Sequence, residues 1–158
     1  MIIDAQSVKN ADTAGPKGYD AGKKVSGIKH HIAVDPQGFP HAVMVTTADE
    51  TDRQGALQAF ERCKTNLHQV KSVLADGGYT GEPFAQGVRE TLGEQVTVQI
   101  AKRSELHTFK VLPRRWVVER SFAWLEKNRR LSKNHERWLN TSLQFVHLAF
   151  LALLLRRS

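Results

Sequence analysis

Cysteine is almost missing from this chain. The one thiol, Cys63, cannot close an internal disulfide and has no Cys or His companion at zinc-ligand spacing, which excludes a disulfide scaffold and a zinc finger. A reducing, cytoplasmic setting is the expectation, with Cys63 packed as a small apolar residue. Long apolar runs are missing as well. The C-terminal stretch LQFVHLAFLALLLRRS is uninterrupted only from Leu148 to Leu155, far short of the ~18 residues a membrane span requires, so it reads as a core helix capped near Asn140 or Thr141. The opening MIIDAQSVK has neither the basic region nor the apolar length of a signal peptide. Internal repeats, low-complexity tracts and an interdomain linker are also absent, and 158 residues with 41% apolar content suffice for one domain with a proper core.

What the sequence does have is misplaced charge. The net charge is +7, and between Lys102 and Arg137 there are eleven Lys or Arg against four Asp or Glu, so the whole surplus lies in one block. Trp116, Trp124 and Trp138 are interleaved with it. A local cationic excess with aromatics points to a polyanion, and nucleic acid fits that best. Lys102, Arg103 and Arg114 are expected phosphate contacts on charge alone. Trp138 and Phe109 read as core.

Residue patterns give the element order. MIIDAQSV is a strand beginning almost at once, and KNADTAGPKGYDAGKKVSG is a polar loop. IKHHIAV and FPHAVMVTT form a hairpin about the DPQG turn, and a helix capped at Thr51 and Asp52 carries Ala56, Leu57, Phe60 and Cys63 at helical spacing. A buried strand VKSVLAD, a helix closed by Gly93 and a strand QVTVQIA follow. Three strands, helix, strand, helix, strand is the order of an α/β mixed sheet with helices on its faces. From Pro113 a helix is expected through Leu131, with apolar patches on several sides that predict an enclosed position.

Three carboxylates acquire a common logic on this frame. Asp4 lies in the first strand, Asp76 ends a strand beside it in VLADGGYTG, and Glu119 projects from the helix with Arg115 one turn earlier on the same face. Asp-Gly is also a common turn dipeptide, so Asp76 has an ordinary role open to it. Gathered together, the three acids make an oxygen-only cluster suited to magnesium or manganese, and two such ions about 4 Å apart serve phosphodiester chemistry. His30 and His31 alternate faces on one strand, so a structural role and a place near the acids are both open. Tyr79 packs behind the strand end or approaches DNA.

IDAQSVK, VLADGGYTG and VLPRRWVVERSFAWLEKNRRLSKNHER together resemble the catalytic region of DDE transposases of bacterial insertion sequences, most closely the insertion sequence 5 family. The resemblance covers essentially the whole chain. It implies a ribonuclease H-like fold with a mixed sheet of about five strands and helices on both faces. Asp4, Asp76 and Glu119 would be the metal-binding catalytic triad with two Mg2+ or Mn2+ ions, acting on transposon ends and target DNA through cleavage and 3′ hydroxyl strand transfer. A homo-oligomer on DNA, a possible upstream-frame product as partner and no membrane association belong to the same expectation.

The related signature places tyrosine, arginine, glutamate and lysine at fixed intervals. Arg115 and Glu119 match, whereas Leu112 stands for the tyrosine and Glu126 for the lysine, leaving Lys127 and Arg130 as cations for that role. Asp4 follows Met1 so closely that the chain reads as a single catalytic domain over residues 1–158 without an N-terminal recognition region, its first strand prone to fraying. A ribonuclease H-like nuclease without strand transfer, and a non-catalytic DNA-binding regulator derived from a transposase, use the same residues and stay open here.

Overall fold

The computed structural model describes residues 1–101 and 115–156. Among the described residues the strands are β1 (Ile2–Lys9), β2 (Gly18–Asp20), β3 (Val25–Val34), β4 (Pro40–Thr47), β5 (Ser72–Asp76) and β6 (Thr97–Ala101). The helices are α1 (Asp52–Cys63), α2 (Glu82–Leu92), α3 (Arg115–Glu126), α4 (Arg129–Ser132) and α5 (Leu139–Leu155).

The strands form one mixed sheet in the order β2-β3-β1-β5-β6, with β4 also paired to β3. β1 runs antiparallel to β3 over its whole length and parallel to β5, which continues parallel to β6. β2 meets β3 at Val25–Gly27 and β4 meets it from Ile28 onward, so the two share the edge opposite β1. The first strand is thus central. Contrary to the fraying expected of a terminal element, Met1 is tied through its ammonium to the Ser72 carbonyl at 2.8 Å, and its own carbonyl accepts from Leu74 N–H.

Alternation along β1 explains the layers, because successive side chains point to opposite faces. Ile2 and Val8 join Ile28, Ile32, Val43 and Val45 beneath α3 and α5, burying Val118, Phe122, Val146 and Phe150. Ile3 joins Ala33, Val73 and Ala75 beneath α1 and α2, burying Phe60, Phe84 and Val88. Cys63 is half-buried at the edge of this second core.

Local chemistry sets the boundaries. Asp35 Oδ1 accepts from the backbone of Gln37 and Phe39, and Gly38 takes φ 92°, which closes the β3–β4 hairpin as its turn residues predict. Thr51 accepts from Gln54 N–H at 3.1 Å and caps α1. Gly55, within α1, leaves room for a ring from the sheet: a Cβ there would stand 2.1 Å from two atoms of the His31 imidazole. Helix propensity disfavours glycine at such a position, so packing decides it.

Several expectations are corrected. The polar loop after β1 contains β2, a short edge strand supported by Ser7 donating to Asp20 Oδ2. The helix expected to reach Leu131 stops at Glu126, because Asn128 turns its amide back onto the Trp124 and Leu125 carbonyls. α3 buries one face only, since Val117, Val118, Ser121, Phe122 and Leu125 are buried while Trp116 is 56% exposed. Its outer face is held by Arg120, stacked 4.7 Å from both the Trp116 and Trp124 rings and bonded to the Gln37 carbonyl. Trp138 is the N-cap of α5 and 72% exposed, not core, so α5 begins before Asn140. Pro113 and Phe109 lie outside the described residues.

Candidate active site

The parallel pair Ile2–Leu74 sets β1 and β5 in register, and two residues further on each strand stand Asp4 and Asp76. Period-two alternation sends both carboxylates to the face covered by α3. That helix is anchored along β1, where Gln6 Nε2 donates to Glu126 Oε1 near its end. At its other end Arg115 reaches the two aspartates.

One guanidinium nitrogen organises the cluster. Arg115 Nη2 lies 3.8 Å from Asp4 Oδ2, 3.8 Å from Asp76 Oδ2 and 3.5 Å from Glu119 Oε1. The i,i+4 spacing of Arg115 and Glu119 brings the third carboxylate to the same point from the helix. Three segments distant in sequence therefore converge within a radius of 3.8 Å about a single cation.

Each aspartate divides its two oxygens. Asp4 Oδ1 accepts from Ala5 N–H at 2.8 Å and Asp76 Oδ1 accepts from Gly78 N–H at 2.8 Å. Asp76 thereby fulfils the turn role open to it, capping the short helical turn Gly77–Tyr79, while its Oδ2 stays turned to the cluster. Fixing one oxygen on the backbone orients the other without a further side chain.

The electrostatics favour a cation. Burial pushes the Asp4 carboxyl up to about 6; the Asp76 carboxylate adds to this, and the Ala5 N–H, Arg115 and Lys23 oppose it. Tyr79 is fully buried against Phe84, ring centroids 5.2 Å apart, and its hydroxyl is raised by burial and then by the Asp4, Asp52 and Asp76 charges. It supports the strand end from behind rather than facing DNA. Glu119 is more exposed than the aspartates, so its charge carries no heavy desolvation cost.

The donor set suits a hard divalent ion, being three carboxylates, each with one oxygen turned to the same guanidinium nitrogen, and no nitrogen or sulfur ligand among them. Among the described residues no group of three or more His, Cys, Asp or Glu is drawn together as a finished metal cage; the three carboxylates are instead spread round the guanidinium. The residues fit the ion in chemistry and direction, with Arg115 standing among them.

The remaining sequence candidates fall elsewhere. His30 is buried beneath α4 and α5 beside Val8, Ile28 and Phe145, and His31 lies on the opposite face against Gly55, hydrogen-bonded to Thr46 Oγ1 at 2.9 Å. Neither joins the carboxylates. Arg130 donates to Glu136 Oε1 at 2.7 Å and covers the Phe145 ring at 5.0 Å, and Lys127 lines a cleft between α3 and α5. Lys102, Arg103 and Arg114 lie outside the described residues.

The structure adds one cation that sequence reading missed. Lys23, in the turn between β2 and β3, donates to the Ala5 carbonyl at 2.9 Å and stands 3.7 Å from Asp52, so its positive charge is held beside Asp4. Buried Lys29 pins the same region, at 2.8 Å from Asp52 and 3.3 Å from Asp20. Nothing in the run GKK marks this beforehand, since the contact depends on the unforeseen β2.

Residues 1–155 match the family described as Transposase DDE domain. A protein named as the candidate transposase for insertion sequence element IS402 of Burkholderia cepacia is 34% identical over 160 residues, with 97% of this chain and 71% of the relative covered. Among solved structures, a chain in the cryoEM structure of a simian T-cell lymphotropic virus intasome in complex with PP2A regulatory subunit B56 gamma aligns with a TM-score of 0.57 at 15% identity. That alignment covers 94% of this chain and 46% of the other, so this chain spans less than half of its structural neighbour. The shared architecture is the ribonuclease H-like fold. No helix among the described residues is long and apolar enough to cross a membrane.

Proposed function

Since the chain belongs to the DDE transposase family of insertion sequences, we propose that it carries the phosphodiester chemistry of transposition, with Asp4, Asp76 and Glu119 as its catalytic carboxylates and DNA as its substrate. The observation that carries this reading is the convergence of the three carboxylates on one cation from β1, β5 and α3.

A divalent ion bound by these oxygens would supply Lewis-acid activation of the attacking oxygen and offset charge gathering on the phosphate. The chain's own part is positioning. The backbone bonds of Asp4 and Asp76 hold their Oδ2 atoms in place, and the packing of α3 on β1 brings Glu119 to them. Ligands held near their places lower the barrier, because what rearrangement remains is made when the ion is loaded and not during the reaction itself.

Two displacements follow from one geometry. Water attacks the phosphorus at the element's end and the 3′ oxygen leaves, giving a 3′ hydroxyl and a 5′ phosphate. That hydroxyl then attacks a target phosphorus, forming a new P–O bond as the target's own 3′ oxygen departs. The basic block supplies the phosphate-facing charge, which sets position on DNA more than sequence choice.

The test separates strand transfer from plain hydrolysis. Purified protein is incubated with a supercoiled plasmid and a labelled duplex ending in a pre-exposed 3′ hydroxyl, in Mg2+ and in chelator. Label joined to plasmid in Mg2+ alone is the expected result. Plasmid nicking without joining would assign the site to a nuclease, and binding without either product to a regulator.

A further inference from the structure

We infer that Arg115 is a built-in competitor for the divalent ion: its guanidinium holds the oxygens the ion needs, so metal binding requires Arg115 to swing out of the cluster. This rests on the metal-site reading of Asp4, Asp76 and Glu119 given above.

The argument is geometric. All three ion pairs are made by the same Nη2 atom, at 3.5 to 3.8 Å. A magnesium ion takes carboxylate oxygens at about 2.1 Å and keeps near-octahedral geometry, so it must draw the same three oxygens inward onto itself. One point cannot serve both cations. The contacts of Arg115 are also of a kind that exchanges readily, being longer than charge-assisted hydrogen bonds and made by a side chain one-third exposed. Among the described residues, no hydrogen bond ties its guanidinium elsewhere.

Competition has a sign that an ordinary structural arginine would not show. Removing the guanidinium charge strips the carboxylates of their internal counter-ion and should raise their affinity for a divalent ion. A site that merely used Arg115 to hold itself together would lose affinity instead. Coupling between two ligands at one protein commonly amounts to about 5- to 150-fold, and direct exclusion belongs in that range or above it.

Mn2+ binding is measured without DNA, by the electron paramagnetic resonance signal of free Mn2+, for the full chain and for Arg115→Gln, Asp76→Asn and the double variant. The expected result is that Arg115→Gln binds Mn2+ at least about fivefold more tightly than the unaltered chain. The double variant should lose that binding. Equal or weaker binding by Arg115→Gln, with binding still abolished by Asp76→Asn, overturns the competition and leaves the metal site standing. Binding that survives Asp76→Asn, or none in any of the four proteins, overturns both. A second measurement needs no folded variant: in 15N-arginine-labelled protein titrated with Mg2+, one guanidinium Nε resonance should move and saturate together with Mg2+ binding. No guanidinium resonance moving while Mg2+ binds overturns the inference.

Discussion

On the proposed triad, Asp76→Asn should abolish metal-dependent cleavage and joining while the protein still folds. The reason lies in how the side chain is shared. Asp76 Oδ1 caps the Gly77–Tyr79 turn through Gly78 N–H, and an asparagine carbonyl can accept that bond equally well. The other oxygen, Oδ2, faces Arg115 at 3.8 Å, and the variant puts an uncharged amide donor there in place of an anionic acceptor. Losing one of three ligand charges should remove roughly 4 kcal/mol of transition-state stabilisation, about a thousandfold in rate. Unfolding free energy should stay within about 1 kcal/mol, because the cap survives and Asp76 is not fully buried. Rates in Mg2+ beside urea unfolding check this. A rate within tenfold of the unaltered chain would remove Asp76 from the triad.

The second large effect is acid instability with its origin in the β3 histidines. Burial lowers His30 to about 4 and His31 to about 3, so both are neutral in the fold. The groups facing them are Arg130, Lys133 and Glu136 around His30, and Asp52, Lys29 and Lys23 near His31. An unfolded chain protonates its histidines near 6.5, so below that pH it binds more protons than the fold and stability falls. Asp4 opposes this, since its carboxyl is raised to about 6 and the fold takes up a proton there first. Two histidines outweigh one aspartate. In chelator, the net loss between pH 6.5 and 4.5 should be roughly 3 kcal/mol. His30→Leu should remove most of that slope and add about 1 kcal/mol at neutral pH, because neither His30 nitrogen has a hydrogen-bond partner among the described residues. Denaturant unfolding across pH measures both. An unchanged slope in His30→Leu would contradict the assignment.

Much of this architecture can be read from residues whose local chemistry is self-contained. The Asp35–Gly38 turn, the Thr51 cap and the positive-φ Gly93 are set by neighbours within a few positions, and each appears where it is expected. The gathering of the three carboxylates is legible only in part. Asp4 and Asp76 are placed by alternation on paired strands, but nothing local says that Arg115 would stand between them. What sequence hides is whatever depends on a return of the chain. β2 is three residues long and defined by its pairing with the first residues of β3, and Lys23 reaches Ala5 only because of it. Asn128 ends α3 through bonds that periodicity cannot register, and Trp138 is exposed at the N-cap position of α5, where its side chain makes no capping bond.

The central claim is that Asp4, Asp76 and Glu119 hold one divalent site. Fe2+ substituted for Mg2+, with ascorbate and peroxide, generates radicals that cut the polypeptide near the bound ion, and the fragments can be sequenced. Three sets of cuts, near residues 4, 76 and 119, all suppressed by excess Mg2+, are the predicted result. Cuts confined to other segments, or a pattern indifferent to Mg2+, would contradict it.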